Sequence, residues 1–400
     1  MNYQQGKDVM LSAAVTSETP TNWGLLRVKG DGSLSPLPLF DGAIVDVTCD
    51  ESHHDGDTSH VRHHAQFIVR SEGVYVSDLD SGQGTWVDGI AVRKLGLAHG
   101  SVLRCGRCIA LFVERDLAQS ASPPKRKGNV VIGVRLQACL DTALGFIHGK
   151  RSFLVEGNAG VGKSTMVDAA LRKAGETTPV CHLDGACFES EALVRAFERT
   201  SPCVWVVRHF EQFPRAAQAD LVRTVRMMDG SFLIGTVVGS VEHAHAEGRV
   251  CSSCMTLMGS HVIRVPSLIE RREDIPMLTM EYLRRTEVPM TFDVMGLFEC
   301  VLRAGWTGGI RELQDHLSAA FSSDSVSEDP IKTLARSIPR PCSKEPLSLS
   351  SSDPDLARVR LQKALTMASG TVAEAARNLR ISRQTFYREL RRLSVEATRS

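Results

Sequence analysis

The chain has 400 residues, 42% hydrophobic and 23% charged, with 47 Lys/Arg against 46 Asp/Glu. That length exceeds one ordinary domain, and the composition excludes a disordered or collagen-like chain. No apolar run approaches the roughly 18 residues of a membrane helix, and "MNYQQGKDVM" lacks a secretory signal's apolar core, so a cytoplasmic protein is expected.

Residues 23–115 are short apolar alternations broken by Gly, Asp and Ser, as in "AQFIVRSEGVYVSDLDSGQGTWVDG" and "GSVLRCGRCIALFVER". This pattern predicts an all-β sandwich. "VRHHAQF" (61–67), "SDLDSGQGTWVDG" (77–89) and "LAHGSVLRCGR" (97–107) resemble the forkhead-associated domain, which binds phosphothreonine peptides through loops at one end. The resemblance implies a phosphopeptide site at Arg62, His64, Ser81, Gln83 and Thr85, and it absorbs the histidines of "SHHDGDTSHVRHH" without a metal. Two contacts depart from the family: Val61 stands where a serine is usual, and "IVDVTCDE" has no arginine. Phosphate recognition favours an arginine fork and a hydroxyl donor, so a structural or protein-docking sandwich stands beside the phosphopeptide reading.

Residues 116–129 ("AQSASPPKRKGN" within them) read as a linker, and 322–355, rich in Ser and Pro, as a second. The chain carries eleven cysteines, including two Cys-x-x-Cys pairs, Cys105 with Cys108 and Cys251 with Cys254. A structural zinc would need both pairs together, yet they fall in different domains. "RCGRC" also sits in a strand-like run that would turn its two cysteines to opposite faces. Reduced core thiols and no metal site are expected.

The central part, 130–321, opens on a helical pattern, "RLQACLDTALGFIHG", then a strand, "SFLVEG", then a helix, "KSTMVDAALRKAG". A β-loop-α unit of this kind belongs to an α/β sheet. Between strand and helix, Gly157-Asn158-Ala159-Gly160-Val161-Gly162-Lys163-Ser164, followed by Thr165, fits the P-loop pattern. Its glycines turn backbone N–H groups toward phosphates, and the helix N-terminus adds partial positive charge. ATP is the expected ligand, with Lys163 on the outer phosphates and Ser164 as a candidate magnesium ligand.

"VPSLIERREDIPMLTMEYL" (265–283), "AGWTGGIRELQDHL" (304–317), "VIGVRLQACLDTAL" and "EQFPRAAQADLVRTVRMMDG" resemble the AAA+ domain of sigma-54-dependent activators. The resemblance implies a helical lid on which Arg311 senses nucleotide. Hydrolysis in P-loop enzymes needs an acidic pair ending a buried strand. Here the strand "VWVV" is followed by Arg208 and His209. Arg208 repels magnesium, His209 is a poor ligand for so hard an ion, and Glu211 is set aside as no evident substitute. Val238 stands where the family ends a strand in asparagine. "VCSSCMTLMGSH" holds no arginine to reach a neighbour's ATP, although Arg249 lies beside it. The loop that touches the sigma factor in that family is also absent from "LDGACFESEALVRAFERTSPCVWVV". A domain that binds nucleotide without efficient turnover is expected.

In "GTVAEAARNLRISRQTFYRELRRL" (370–393), Thr371 and Glu374 form a capping box for one helix, and Ser382 caps the next. The second helix carries Arg383, Gln384, Thr385, Tyr387, Arg388 and Arg391, with Arg380 at the turn; these side chains suit base edges and phosphates. From Leu356 onward ten Lys/Arg face three Asp/Glu, a net charge of +7 hidden by the near-neutral whole. Residues 356–395 resemble the Fis-type helix-turn-helix, which implies dimerisation and binding to inverted repeats in double-stranded DNA.

The expected architecture is therefore an N-terminal sandwich, a central P-loop α/β domain with a helical lid, and an all-α helix-turn-helix. The leading function is a DNA-binding bacterial transcription regulator, homo-oligomeric and at least dimeric. Two others stay open: an active ATPase that remodels the sigma-54 RNA polymerase holoenzyme, and a scaffold for a phosphoprotein or kinase.

Overall fold

The structure, a computed structural model, describes residues 11–14, 20–40, 44–50, 61–70, 73–114, 125–127, 130–187, 201–321 and 329–339, with 361, 372, 386–388 and 390. The N-terminal part is two facing sheets. One has the order β1 (Leu11–Ala14), β4 (Ile44–Asp50), β5 (Val61–Arg70), β6 (Gly73–Asp78), β9 (Lys94–Gly96). The other has the order β3 (Leu34–Phe40), β2 (Pro20–Val28), β11 (Cys108–Glu114), β10 (Val102–Cys105), β7 (Thr85–Val87), β8 (Ile90–Val92). Leu25, Leu39, Phe67, Val76, Leu103 and Phe112 fill the space between them, with Trp23 stacked on Phe112 at 5.1 Å between ring centroids. The strands begin at Leu11, twelve residues ahead of the expected boundary at 23.

The cysteine-bearing run "RCGRC" is not one strand. A tight turn at Gly106 (φ 57°) divides β10 from β11 and places Cys105 directly opposite Cys108. The expectation that the pair points to opposite faces assumed an unbroken strand; the glycine's left-handed backbone breaks it.

A short antiparallel pair, β12 (Lys125–Lys127) with β13 (Val130–Ile132), leads from the expected linker into the central part. There α1 (Val134–His148) precedes a parallel sheet in the order β15 (Val180–Asp184), β16 (Val204–Arg208), β17 (Phe232–Val238), β14 (Phe153–Gly157), β18 (Val262–Arg264). Strands β14, β16 and β17 are largely apolar, with Phe153 to Val155, Val204 to Val207 and Phe232 to Ile234 buried, because both faces are covered. Helices α1 and α2 (Lys163–Ala174) bury Leu140, Ile147, Val167 and Ala170 on one face. On the other, α3 (Arg215–Met227), α4 (Val241–Ala246) and α5 (Ser252–Met258) bury Leu221, Val241 and Met258.

A lid of α6 (Ile275–Arg285), α7 (Val294–Arg303), α8 (Gly309–Phe321) and α9 (Pro330–Ser337) follows. Helix α9 lies inside the linker expected from 322. Asp329 caps it through the Ile331 N–H at 3.0 Å, and Leu334 is fully buried against the lid. The sandwich is seated on this lid. Leu26 and Val28 of β2, Val102 of β10, and Ile109, Leu111 and Val113 of β11 turn outward into one core with Phe298, Val301, Trp306 and Leu317. At the edge of this contact Arg104 Nη1 lies 3.4 Å from Glu299 Oε2, and Arg272 Nη1 donates to the Gly100 carbonyl at 2.9 Å. Gly32 (φ 81°) carries the β2–β3 turn against α6, where a Cβ would meet the Pro276 carbonyl oxygen at 2.8 Å. A bulky residue at Gly32 must move backbone, so Gly32→Val is expected to loosen sandwich from lid. Limited proteolysis of the full chain checks this: faster cleavage between the two parts is expected, and unchanged cleavage contradicts it.

Candidate functional site

Strand β14 ends at Gly157 (φ 147°), and the chain turns through Gly160 (φ 72°) and Gly162 (φ 94°) before α2 starts at Lys163. Each backbone state is open chiefly to glycine. No side chain caps the N-terminus of α2, so its first N–H groups face the loop. Lys163 is folded into that loop, its Nζ donating to the Gly157 and Asn158 carbonyls at 2.8 Å each. Burial pushes its pKa down, opposed by the charge of Glu211. Glycines without side chains, an uncapped helix start and a buried lysine fit the phosphates of a nucleotide.

The lid closes directly on this loop. The Ile310 N–H donates to the Gly160 carbonyl at 3.0 Å, and a Cβ at Gly160 would collide with the Gly308 carbonyl oxygen. Arg311, at the start of α8, is exposed and has its Cβ over Gly160. Strand β16 delivers Arg208 and His209 to its C-terminal end. Arg208 Nη2 turns to Asp168 Oδ2 on α2 at 3.5 Å, in a cleft of about 550 Å³ that Asp184 also lines. His209 takes a left-handed backbone (φ 49°) and directs Nδ1 toward Glu211 Oε1 at 4.0 Å. Glu211 is buried, and its Oε2 has no hydrogen-bond partner among the described residues. Val238 ends β17 in register with Gly157. Arg249 is held by Glu247, Nε to Oε2 at 2.7 Å. Among the described residues no group of three metal-ligating side chains gathers. Arg208 and His209 at the end of β16 offer no carboxylate to so hard an ion as magnesium.

Arg271 escaped the sequence reading because its partner is 110 residues away. It is fully buried, donates to the Val161 carbonyl of the loop, and pairs with Asp274 Oδ2 at 3.2 Å. Asp274 also lies against Gly133 at the start of α1, and Arg135 Nε is 3.7 Å from Glu273 Oε1. Burial and the Asp274 charge push Glu273 up to about 7; burial pushes Asp274 up to about 6 despite Arg271. A carboxyl raised in the folded state favours folding when protonated, so its stabilisation is present below its unfolded pKa of 4.5 and is lost as pH rises through about 7. Glu273→Gln keeps the neutral form at every pH. The melting temperature of this variant relative to wild type is expected to rise from about pH 5 to about pH 8, and a pH-independent difference contradicts the assignment.

In the sandwich, Asp78 collects the loop that the sequence marked. Its Oδ1 accepts from Ser81 Oγ at 2.9 Å and from Thr85 Oγ1 at 2.7 Å. His64 and Thr85 are buried, Ser81 is half-buried, and Gln83 is exposed, with its carbonyl accepting from Trp86 Nε1 at 3.3 Å. Arg62 sits on β5 opposite Cys49, and its side chain falls outside the described part. The loop brings Ser81 and Thr85 together, yet commits their hydroxyls to a carboxylate that itself repels phosphate.

Arg380, Ser382, Arg383, Gln384, Thr385 and Arg391 lie outside the described residues, as does the segment 188–200 where the sigma-contacting loop would stand. Tyr387 and Arg388 are helical and exposed, while Phe386 and Leu390 are buried.

The FHA domain model matches residues 43–106, and the model described as "Bacterial regulatory protein, Fis family" matches 354–393. Transcriptional regulatory protein ZraR of Escherichia coli is 31% identical over 142 residues, 32% of this chain and 31% of ZraR. The acetoin dehydrogenase operon transcriptional activator AcoR of Bacillus subtilis is 28% identical over 159 residues, 38% of this chain and 26% of AcoR. Among solved structures, NtrX from Brucella abortus in complex with ADP is 16% identical, covering 66% of this chain and 68% of that one, at a TM-score of 0.42. The chain thus spans about a third or less of the length of the curated relatives it matches. No helix among the described residues is long and apolar enough to cross a membrane.

Proposed function

We propose that this chain, a relative of the sigma-54-dependent enhancer-binding activators, is a DNA-binding transcription regulator whose P-loop domain holds ATP without turning it over efficiently. The observation that carries the reading is the end of β16. A guanidinium, tied to Asp168, and an imidazole occupy the place where hydrolysis needs carboxylates. Nucleotide then acts as a ligand of the folded state, stabilising the closed arrangement of loop and lid by mass action. Gly157 to Thr165 would cradle the phosphates and Arg311 would approach them from the lid. Docked on that lid, the sandwich serves as the sensory or protein-interaction module, and the basic C-terminal module places a homo-oligomer on double-stranded DNA. Sequencing of DNA crosslinked to the full-length protein tests the regulator reading. Enrichment at discrete inverted repeats is expected; no enrichment over an untagged control would reject it in favour of the phosphoprotein scaffold.

One observation favours the second reading, an active remodeller of sigma-54 polymerase. Glu211 is a buried carboxylate whose charge is felt at Lys163 and whose Oε2 is unpartnered. Were it to stand in for the missing acid, Glu211→Gln would abolish phosphate release; under the leading reading there is no release for it to abolish.

A further inference from the structure

The second Cys-x-x-Cys pair lies at the start of α5, outside the phosphate loop and the lid residues that close on it. Cys251 immediately precedes α5 and Cys254 lies on its first turn. Their sulfurs are 3.0 Å apart, about 1 Å beyond the length of a disulfide bond. Cys251 Sγ also lies 3.0 Å from Ser253 Oγ. Burial pushes the Cys251 thiol up, but hydrogen bonds from Cys254 and Ser253 outweigh this and hold it below the ordinary thiol range. Burial and the neighbouring Cys251 push the Cys254 thiol well above that range. Cys251 also keeps 7% of its surface exposed and Cys254 none, so Cys251 is the thiol that a disulfide from solution can reach.

The backbone around the pair is already fixed. Gln218, fully buried on α3, accepts from the Cys251 N–H at 2.9 Å, and its Nε2 donates to the Phe213 carbonyl at 2.8 Å and the Arg249 carbonyl at 2.7 Å. Cys254 Sγ lies 3.8 Å from the same Gln218 Oε1. The two sulfurs are held facing each other by a packed core, so closing the bond requires a small sulfur movement rather than a refolding of α5.

We infer that Cys251 and Cys254 form a redox-active dithiol that closes to an internal disulfide by exchange with a small-molecule disulfide of the glutathione class. The Cys251 thiolate attacks one sulfur of the oxidised partner, forming a mixed disulfide and releasing one thiolate, which takes a proton. Cys254 then attacks Cys251 Sγ and expels the second thiolate, which leaves as the thiol carrying the Cys254 proton. The protein loses two protons and two electrons, and one disulfide becomes two thiols.

The test uses full-length protein equilibrated with oxidised glutathione, alkylated and digested with trypsin. Cleavage after Arg249 and Arg264 yields one peptide carrying both cysteines. A loss of about 2 Da from this peptide, reversed by dithiothreitol, is expected for wild type. Cys254→Ser is expected to stop at the mixed disulfide, with a glutathione adduct on Cys251, and Cys251→Ser is expected to form no adduct at Cys254. Because the wild-type measurement stands without either variant, failure of a variant to fold leaves it intact. Free thiols at both positions while exposed Cys187 becomes glutathionylated would overturn the inference. So would an adduct on Cys254 in preference to Cys251.

Discussion

Replacing Lys163 by alanine is expected to weaken ATP binding to the full-length protein by at least about a hundredfold, in the range of one lost charge-assisted contact. The lysine is buried in the phosphate loop and, among the described residues, bonds to the loop's own carbonyls, of Gly157 and Asn158. Its ammonium therefore rests where a phosphate oxygen would become its partner, and removing it leaves the glycine turn and the start of α2 without their main positive charge. The fold should survive, since the loop is also held by Arg271 on Val161 and by the Ile310 N–H on Gly160. Isothermal titration beside a thermal melt checks both halves: lost affinity with an unshifted ligand-free melting temperature is expected. Unchanged affinity would remove the nucleotide site from the account.

The second large effect is structural. Trp306→Ala should destabilise the lid by about 3–5 kcal/mol, the usual cost of emptying a large aromatic site. Trp306 is fully buried in the core that lid and sandwich share, and its Nε1 donates to the Val301 carbonyl at 2.7 Å. The variant both opens a cavity and leaves that carbonyl unpaired. Because Val301 and Phe298 face β10 and β11 across the same core, the loss should spread to the sandwich. Hydrogen exchange is the measurement: protection is expected to fall in β11 as well as in α7 and α8. A fall confined to the lid would mean that the two parts are stable independently.

One stretch of the sequence carries a signal of this shared core. Strand β11 opens on "CIALFV", six apolar residues in a row, whereas a sandwich strand open to water on one side alternates. Ala110 and Phe112 serve the sandwich core while Ile109, Leu111 and Val113 serve the lid. The P-loop unit was legible throughout because its signals are local: a short apolar strand, glycines, and a helix of period 3.6. Helix α9 carried local signals as well, Asp329 as cap and Pro330 at the first turn, but in eight residues its periodicity was outweighed by the Ser and Pro around it. Arg271, Glu211 and Asp78 had no such signals. Arg271 and Glu211 matter through Val161 and Lys163, far away along the chain, and Asp78 through a turn whose marked residues were read for phosphate rather than for each other.

Under the proposed reading, β16 delivers Arg208 and His209 where an ATPase would need carboxylates, and Arg208 brings a charge of the opposite sign. Arg208 has found a carboxylate on α2, so the exchange is accommodated without an unpaired charge. The inference about chemistry thus rests on two side chains within a sheet that otherwise keeps its form.

Phosphate release measured under saturating ATP and magnesium, beside equilibrium binding of the same ATP, tests the central claim most directly. Stoichiometric binding that Lys163→Ala abolishes is expected, with wild-type release no faster than that of Lys163→Ala. Sustained wild-type turnover, lost in Lys163→Ala, would contradict it.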